Sequence, residues 1–169
     1  MIFKINKDDH RSSPLIVKPF VRRIRGTCTF TEPFYDLGDV DQADWNKLVG
    51  ISFNPFKPDQ NAIMIAWRYN LTTNKVEVGP YFNIDSSRET PERIKSGWLE
   101  VNPIMPIKFE LDYNKIKFWN VITGQYIVHQ VPSNLRTRFW TSFLVQPWFG
   151  GNRVSPTNIT IDLDYETNY

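Results

Sequence analysis

Cysteine and histidine are scarce in this chain. Cys28 is the only cysteine, and His10 and His129 are the only histidines among 169 residues. One cysteine excludes a scaffold held by disulfides, and the few imidazoles do not support a zinc site. No apolar run reaches the roughly 18 residues that a membrane-spanning helix needs, so we expect no membrane partner. The 12 prolines are spread along the chain and exclude long helices.

Aromatic residues, in contrast, are abundant. Phe, Tyr and Trp make up 15% of the chain and hydrophobic residues 41%, which is enough apolar surface for a folded domain. Apolar and polar residues alternate in runs about ten residues apart, a pattern typical of a β-sandwich or barrel. We therefore predict an all-β, antiparallel sandwich. Its expected strands are Leu15–Phe20, Thr27–Phe30, Lys47–Phe53, Ala62–Asn70, Lys75–Asn83, Gly97–Val101, Ile107–Asp112, Lys115–Val121, Tyr126–Val131, Thr141–Gln146 and Asn158–Asp164.

Three short connections have the composition of hairpin turns. They are Leu71–Asn74, Tyr113–Asn114 and Thr123–Gly124, each between two strong strand patterns. The stretch Phe109–Val131 is therefore predicted to be a meander of three antiparallel strands. Helical structure is expected only as single turns, near Gln42–Lys47 and Glu89–Lys95.

Charge is distributed unevenly, although the net charge is only +2. Residues 1–25 contain seven Lys and Arg against two Asp, whereas the last twelve residues contain three acids and no base. We predict an extended basic N-terminal arm, residues 1–25, in front of one sandwich domain, residues 26–169, which should fold without it. Such an arm could pair with acidic surface on neighbouring copies, or both ends could be solvated faces. The candidate partner-binding residues are Arg22, Arg23 and Arg25.

The segment Asp36–Asp44 is rich in acids. Four carboxylates in nine residues could supply oxygen ligands to Ca²⁺, with Asp39, Asp41 and Asp44 as the candidates. The spacing is not that of an EF-hand, and Asp also caps turns and short helices. No other cofactor is expected.

The loop Gln146–Pro156 is bounded by prolines and contains two aromatics and two glycines. Trp148 could stack on a sugar ring, while Asn152 and Arg153 could bond its hydroxyl groups. Arg68 is a further candidate for sugar contact, because alternation places it on the opposite face of its strand from Trp67 and Tyr69. The alternative interpretation is structural, with a tight Gly-Gly-Asn corner and aromatic rings that close the end of the sandwich.

Support for catalysis is limited. Asp162, Asp164 and Glu166 share one strand face, which resembles the acidic strand of laminarinase-type glycoside hydrolases, although that family has Glu at the first position. The alternative is the exposed face of an amphipathic strand. No nucleophile elbow or phosphate-binding loop accompanies them. Nucleic acid is not expected as a partner, because bases are balanced by acids outside residues 1–25.

The segments Trp45–Asn83, Ile107–Val131 and Phe143–Asp164 together resemble a concanavalin A-like jelly roll. Lys108–Trp119, followed by Thr123-Gly124, is similar to hairpins of laminin-G and lectin-like sandwiches. The motif Pro147-x-Phe149-Gly150-Gly151-Asn152 resembles small single-domain proteins of this fold, many of them phage-borne. The signatures of alginate lyases, which share the fold, are absent. The resemblance implies a fold and no particular activity.

We therefore expect a non-enzymatic structural or interaction protein that binds neighbouring subunits, either as a homo-oligomer or in a larger assembly. A phage virion component, such as a capsid auxiliary or fibre-associated protein, is the most concrete version. The opening residues lack the apolar stretch of a secretory signal, so a virion location, or the cytoplasm before assembly, is expected. A carbohydrate-binding lectin-like module is the alternative, and a polysaccharide-cleaving enzyme is a third.

Overall fold

Two antiparallel β-sheets form a sandwich in the computed structural model, which describes residues 1–168. Helical structure in these residues is limited to two single 3-10 turns, Val40–Ala43 and Phe139–Thr141. None of the helices within 1–168 is long and apolar enough to span a membrane. The strands are β1 Ile2–Ile5, β2 Ser12–Ser13, β3 Arg23–Glu32, β4 Asn46–Ser52, β5 Ala62–Asn70, β6 Lys75–Ile84, β7 Ser87–Glu89, β8 Leu99–Val101, β9 Ile107–Asp112, β10 Lys115–Asn120, β11 Tyr126–Gln130, β12 Phe143–Val145 and β13 Ile159–Thr167.

One sheet has seven strands in the order β11-β10-β9-β3-β13-β1-β2. The other has the order β12-β4-β5-β6-β7, with β8 also paired to β6. Strands distant in sequence are neighbours in both sheets, so the topology is that of a jelly-roll-like sandwich. The all-β antiparallel prediction is confirmed.

Alternation placed several strands correctly. The predicted bounds of β5 and β9 match those observed, and β9, β10 and β11 form the expected meander. Gly124 has a φ of +72° in the turn before β11, a conformation that glycine adopts without strain. The predicted strand Leu15–Phe20 is absent: this segment lies beside β12 and forms one isolated bridge, Pro19 to Phe143.

The main core fills the space between the two sheets. Its largest fully buried side chains include Trp67, Phe30 and Phe118, and the ring centroids of Phe30 and Trp67 lie 5.2 Å apart. Trp67 and Tyr69 therefore face the core, and Arg68 lies on the opposite side of β5, as alternation predicts. A second buried cluster covers that outer side of the six-stranded sheet.

Residues 1–25 are part of the sandwich rather than an extended arm. β1 pairs along its length with β13, and Phe3 and Ile5 are buried in the core. The boundary predicted after Arg25 falls inside β3. The alternating pattern Ile2–Ile5 is too short to stand out beside the charged residues that follow it. This β1–β13 pairing corrects the expected extended arm.

The basic and acidic ends of the chain meet within one molecule. The N-terminal ammonium lies 3.2 Å from Oδ1 of Asp162. Arg25 forms an ion pair with Glu166, its register partner on β13. The basic N-terminal residues were expected to pair with acidic surface on neighbouring copies. At least some of these charges are instead paired within one chain.

Candidate functional site

The outer face of the six-stranded sheet contains a depression lined by Met64 of β5 and Tyr81 of β6. Gly50 of β4 is the register partner of Met64. A Cβ atom on Gly50 would lie 2.3 Å from the carbonyl oxygen of Ile63, so this close approach of the strands requires glycine. We call this depression the outer cleft.

The outer cleft consists of two adjoining cavities, of about 350 Å³ and about 300 Å³. Lys47, Tyr81, Arg88 and Gly151 line both cavities and therefore mark where they meet. Each volume is at the lower end of the range for small-molecule sites, roughly 300–1,000 Å³. The cleft is large enough for a compact polar ligand.

Lys47 is partly buried where the two cavities meet. Its ammonium donates to the carbonyl oxygen of Trp45 at 3.2 Å and lies 4.8 Å from the centre of the Tyr81 ring. Burial, followed by the neighbouring positive charge of Arg88, lowers the pKa of Lys47 to about 8. Among residues 1–168, no carboxylate forms an ion pair with this ammonium.

Two polar residues of β6 complete the cleft. Alternation places Tyr81 and Asn83 on the same face, and both are 2% exposed. Burial raises the pKa of Tyr81 to about 12, so its hydroxyl is protonated at neutral pH. Oδ1 of Asn83 is buried and has no hydrogen-bond partner within residues 1–168. A buried acceptor without a donor is costly, and a ligand hydroxyl or amide could satisfy it.

Arg68 anchors the other end of the cleft. Its guanidinium forms ion pairs with Glu77 at 2.5 Å and Glu92 at 2.8 Å. It also lies 4.4 Å from the ring centre of Trp45 and 5.3 Å from that of Trp98. This side chain is 15% exposed and holds the wall of the cleft together, so its first role is structural.

The loop Gln146–Pro156 borders the cleft and also forms a tight corner. Backbone N–H and C=O groups of Trp148 pair with Lys47, each at 2.9 Å. The amide of Gly150 donates to Asn46 at 2.7 Å, and Gly151 has a φ of +72°. Trp148 is partly buried, and Arg11 lies 5.1 Å from its ring centre. The structure thus shows the tight corner of the structural interpretation, with Trp148 at the edge of the cleft. Contact of this loop with a sugar stays a prediction.

Arg153 is not among the residues that line the cleft. Its guanidinium contacts Asp39 at 2.6 Å and Asp41 at 3.0 Å, which joins the acidic segment to the proline-bounded loop. Oδ1 of Asp39 also accepts from the amide of Asp41 and caps the 3-10 turn.

Asp44 lies apart from this pair, against Gly151 at the cleft. No group of three potential metal ligands was found in the described residues. The three candidate calcium ligands are thus divided between an arginine and the cleft.

The candidate sugar-binding residues do not form one patch. Trp148 and Arg68 line the outer cleft, whereas Asn152 is exposed and Arg153 is paired with acids. Sequence reasoning missed the residues in the middle of the cleft. Because side chains alternate along a strand, Tyr81 and Asn83 of β6 lie on one face of the sheet. That Lys47 of β4 lies close to them on this face follows only from the order of the strands in the sheet. The residues missed are Lys47, Tyr81, Asn83 and Arg88.

A second concavity lies where residues 11–20 pack beside β12. This basic groove, defined by residues 11–20 and 140–148, has a volume of about 500 Å³. Val17 and Trp140 on its walls are 81% and 79% exposed. The guanidinium of Arg22 lies 4.1 Å from the ring centre of Phe139, next to this groove. Arg23 is exposed on β3 and, like Arg25, has interaction partners.

The acidic strand lies on the other sheet. Asp162, Asp164 and Glu166 are exposed on β13 of the seven-stranded sheet, as alternation predicts. Asp162 and Glu166 are paired with the N-terminus and Arg25. These carboxylates therefore do not contribute to the outer cleft.

Comparisons with known proteins give a likeness of fold. No family model matches the chain, and no curated protein matches it. Among solved structures, a scytalido-glutamic peptidase bound to a peptide-based transition-state analogue matches 90% of this chain and 78% of its own, with 6% identity and a TM-score of 0.53. The binding domain of botulinum neurotoxin serotype G covers 98% of this chain and 39% of its own, with 8% identity and a TM-score of 0.37. The first match shows that the sandwich architecture is shared.

Proposed function

We propose that the protein binds a saccharide in the outer cleft, as a lectin-like module. The observation that carries this proposal is the buried Oδ1 of Asn83, which lacks a donor, in a cleft lined by aromatic rings. Sites of this kind combine apolar and aromatic walls with a few polar groups that orient the ligand. A sugar has hydroxyl groups for Asn83 and Lys47, and C–H faces that pack against Tyr81 and Trp148.

Binding rather than catalysis is proposed because the neighbours of Glu92, a carboxylate that lines the cleft, favour its ionised form. Glu92 pairs with Arg68 and accepts from the indole of Trp45, while Asp44 and Asp59 also line the cleft. A carboxylate held ionised in this way is unsuited to the role of general acid in a glycosidase, which requires a raised pKa. The likeness to a glutamic peptidase concerns the fold alone.

A glycan array tests this proposal. Wild type should give signals that Lys47→Met abolishes, because the substitution removes the central hydrogen-bond donor of the cleft. Lys75→Met is the matched control, since Lys75 lies on the same sheet and pairs with Glu100 outside the cleft. Thermal unfolding of each variant checks that both are folded. No signal with wild type, or equal signals with all three proteins, would contradict the proposal.

A second candidate function is assembly, which the basic groove favours. The segments that define it, residues 11–20 and 140–148, contain Arg11 and Lys18 and no acid, and Arg22 lies next to them. Exposed apolar surface rimmed by charge is typical of interaction sites. We propose that a second copy of this chain occupies the groove, presenting its acidic segment Asp36–Asp44, whose Val40 is 88% exposed. Such a head-to-tail contact could build a ring or an open array.

Sedimentation velocity across a range of concentrations tests the assembly proposal. Wild type should self-associate at low salt, and Trp140→Ala and Val40→Ser should each weaken the association. Ile104→Ser is the control, because Ile104 is 70% exposed outside both surfaces. A monomer at every concentration would contradict the contact. The virion setting stays a prediction, for which incorporation of the protein into particles is the test.

A further inference from the structure

Assuming the saccharide-binding function proposed above, we infer that the ligand is acidic and that its carboxylate lies between Lys47 and Arg88. Both side chains line the two cavities at their junction. Within residues 1–168 neither forms an ion pair, whereas Arg68 and Arg153 each contact two carboxylates. The cleft thus holds two neighbouring cations that the chain leaves without a direct counter-ion.

The two cations repel each other. Arg88 is one reason, after burial, that the pKa of Lys47 is low. The negative charges of Asp44 and Asp59 raise the pKa of Lys47, but neither carboxylate lies within ion-pair distance of its ammonium. A ligand carboxylate between the two cations would relieve this repulsion and form charge-assisted hydrogen bonds, the stronger kind in proteins.

Asn83 adds a second requirement. It is the register partner of Arg88 in the β6–β7 pair, so both side chains leave the sheet on the same face and close together. Its unpartnered Oδ1 can only accept a hydrogen bond, which an ionised carboxylate cannot donate. A ligand that carries both a carboxylate and a hydroxyl group satisfies all three residues. Uronic and sialic acid residues of glycans have this combination.

The experiment compares acidic glycans with their neutral counterparts. The probes are a panel of polyuronates, each in native and carboxyl-reduced form, and sialylated glycans with their desialylated forms. Binding is measured for wild type, Lys47→Met and Arg88→Gln, with Lys75→Met as the control. Arg88 is exposed, so its replacement should leave folding intact, and thermal unfolding of each variant checks this.

We expect wild type to bind at least one acidic form about tenfold or more tightly than its neutral counterpart. Arg88→Gln should remove that preference, Lys47→Met should remove binding of both forms, and added salt should weaken binding of the acidic form. Equal affinity for both forms would overturn the acidic ligand and leave saccharide binding intact. Binding to neither form by wild type would overturn both. A preference that survives both cleft substitutions would place the carboxylate elsewhere and contradict the inference.

Discussion

Nε of Arg68 donates to Oε2 of Glu77 at 2.5 Å, between register partners on β5 and β6. Glu77 is 2% exposed and also accepts from Asn70 at 2.7 Å. A carboxylate this deeply buried is tolerated only because its partners neutralise and bond it. The pair therefore fixes the wall of the outer cleft at a place where an uncompensated charge would be costly.

Removing Arg68 should destabilise the protein strongly. Arg68→Met leaves the Glu77 carboxylate buried with Asn70 as its remaining donor, and breaking such a pair costs about 3–5 kcal/mol. Urea unfolding measures the loss. Lys75→Met breaks the exposed pair with Glu100 and should cost less than about 1 kcal/mol. The double variant Arg68→Met/Glu77→Leu should regain part of the lost unfolding free energy, because it leaves no buried carboxylate unpaired. If Arg68→Met cost as little as Lys75→Met, the Arg68–Glu77 pair would not be needed for stability.

The N-terminal strand should matter as much as any central strand. Phe3 is completely buried, whereas its neighbour Ile2 is 47% exposed. Phe3→Ala is expected to lower the free energy of unfolding by about 3–5 kcal/mol, and Ile2→Ala by much less. Denaturant unfolding of both variants provides the comparison. If Phe3→Ala were as stable as wild type, residues 1–25 would be a separate arm after all.

Calcium should leave the thermal unfolding temperature unchanged. Arg153 occupies the carboxylates of Asp39 and Asp41, and Asp44 lies apart from them. A ligand that binds only the folded state would raise that temperature. Scanning calorimetry with Ca²⁺ and with a chelator is the measurement. If Ca²⁺ raises the unfolding temperature of wild type but not that of Asp41→Asn, the segment binds calcium. That result would contradict the pairing of Asp39 and Asp41 with Arg153.

The titration of Lys47 should be visible in the stability of the protein. Its pKa is about 8 in the folded state and 10.5 in an ordinary environment, so between these values the unfolded chain binds more protons. Stability from this group therefore increases as pH rises from 8 toward 10.5. The free energy of unfolding of wild type, relative to Lys47→Met, should grow over that range. The charged groups near Lys47, namely Asp44, Asp59 and Arg88, are common to both proteins, so a flat or falling difference would contradict the lowered pKa.

Alternation predicted much of the fold because strands with one face in the core leave a period of two in the sequence. β5 and β9 have such patterns and were predicted with their observed bounds. β1 and β7, with four and three residues, are too short to leave a clear pattern. The segment Leu15–Phe20 alternates well enough to suggest a strand, but most of it stays exposed beside β12.

The candidate site was harder to predict, because its residues come from separate strands. Trp148 and Arg68 stood out as aromatic and charged residues in unusual local contexts. Lys47, Tyr81 and Asn83 look like ordinary strand residues until β4, β5 and β6 are placed side by side. Cross-strand neighbours depend on sheet order and register, which local patterns do not encode. The partners of Arg153 were hidden for the same reason, since Asp39 lies 114 positions away.

Nuclear magnetic resonance of the tryptophan indoles tests the outer cleft most directly. The probe is the acidic oligosaccharide with the strongest signal in the glycan comparison, titrated into ¹⁵N-labelled protein. The account predicts a shift of the indole N–H signal of Trp45, which lines the cleft, and little change at Trp140 in the basic groove, whereas Trp148 borders both and does not distinguish them. Shifts confined to Trp140, or no saccharide that binds at all, would contradict a saccharide site on the outer face of the six-stranded sheet.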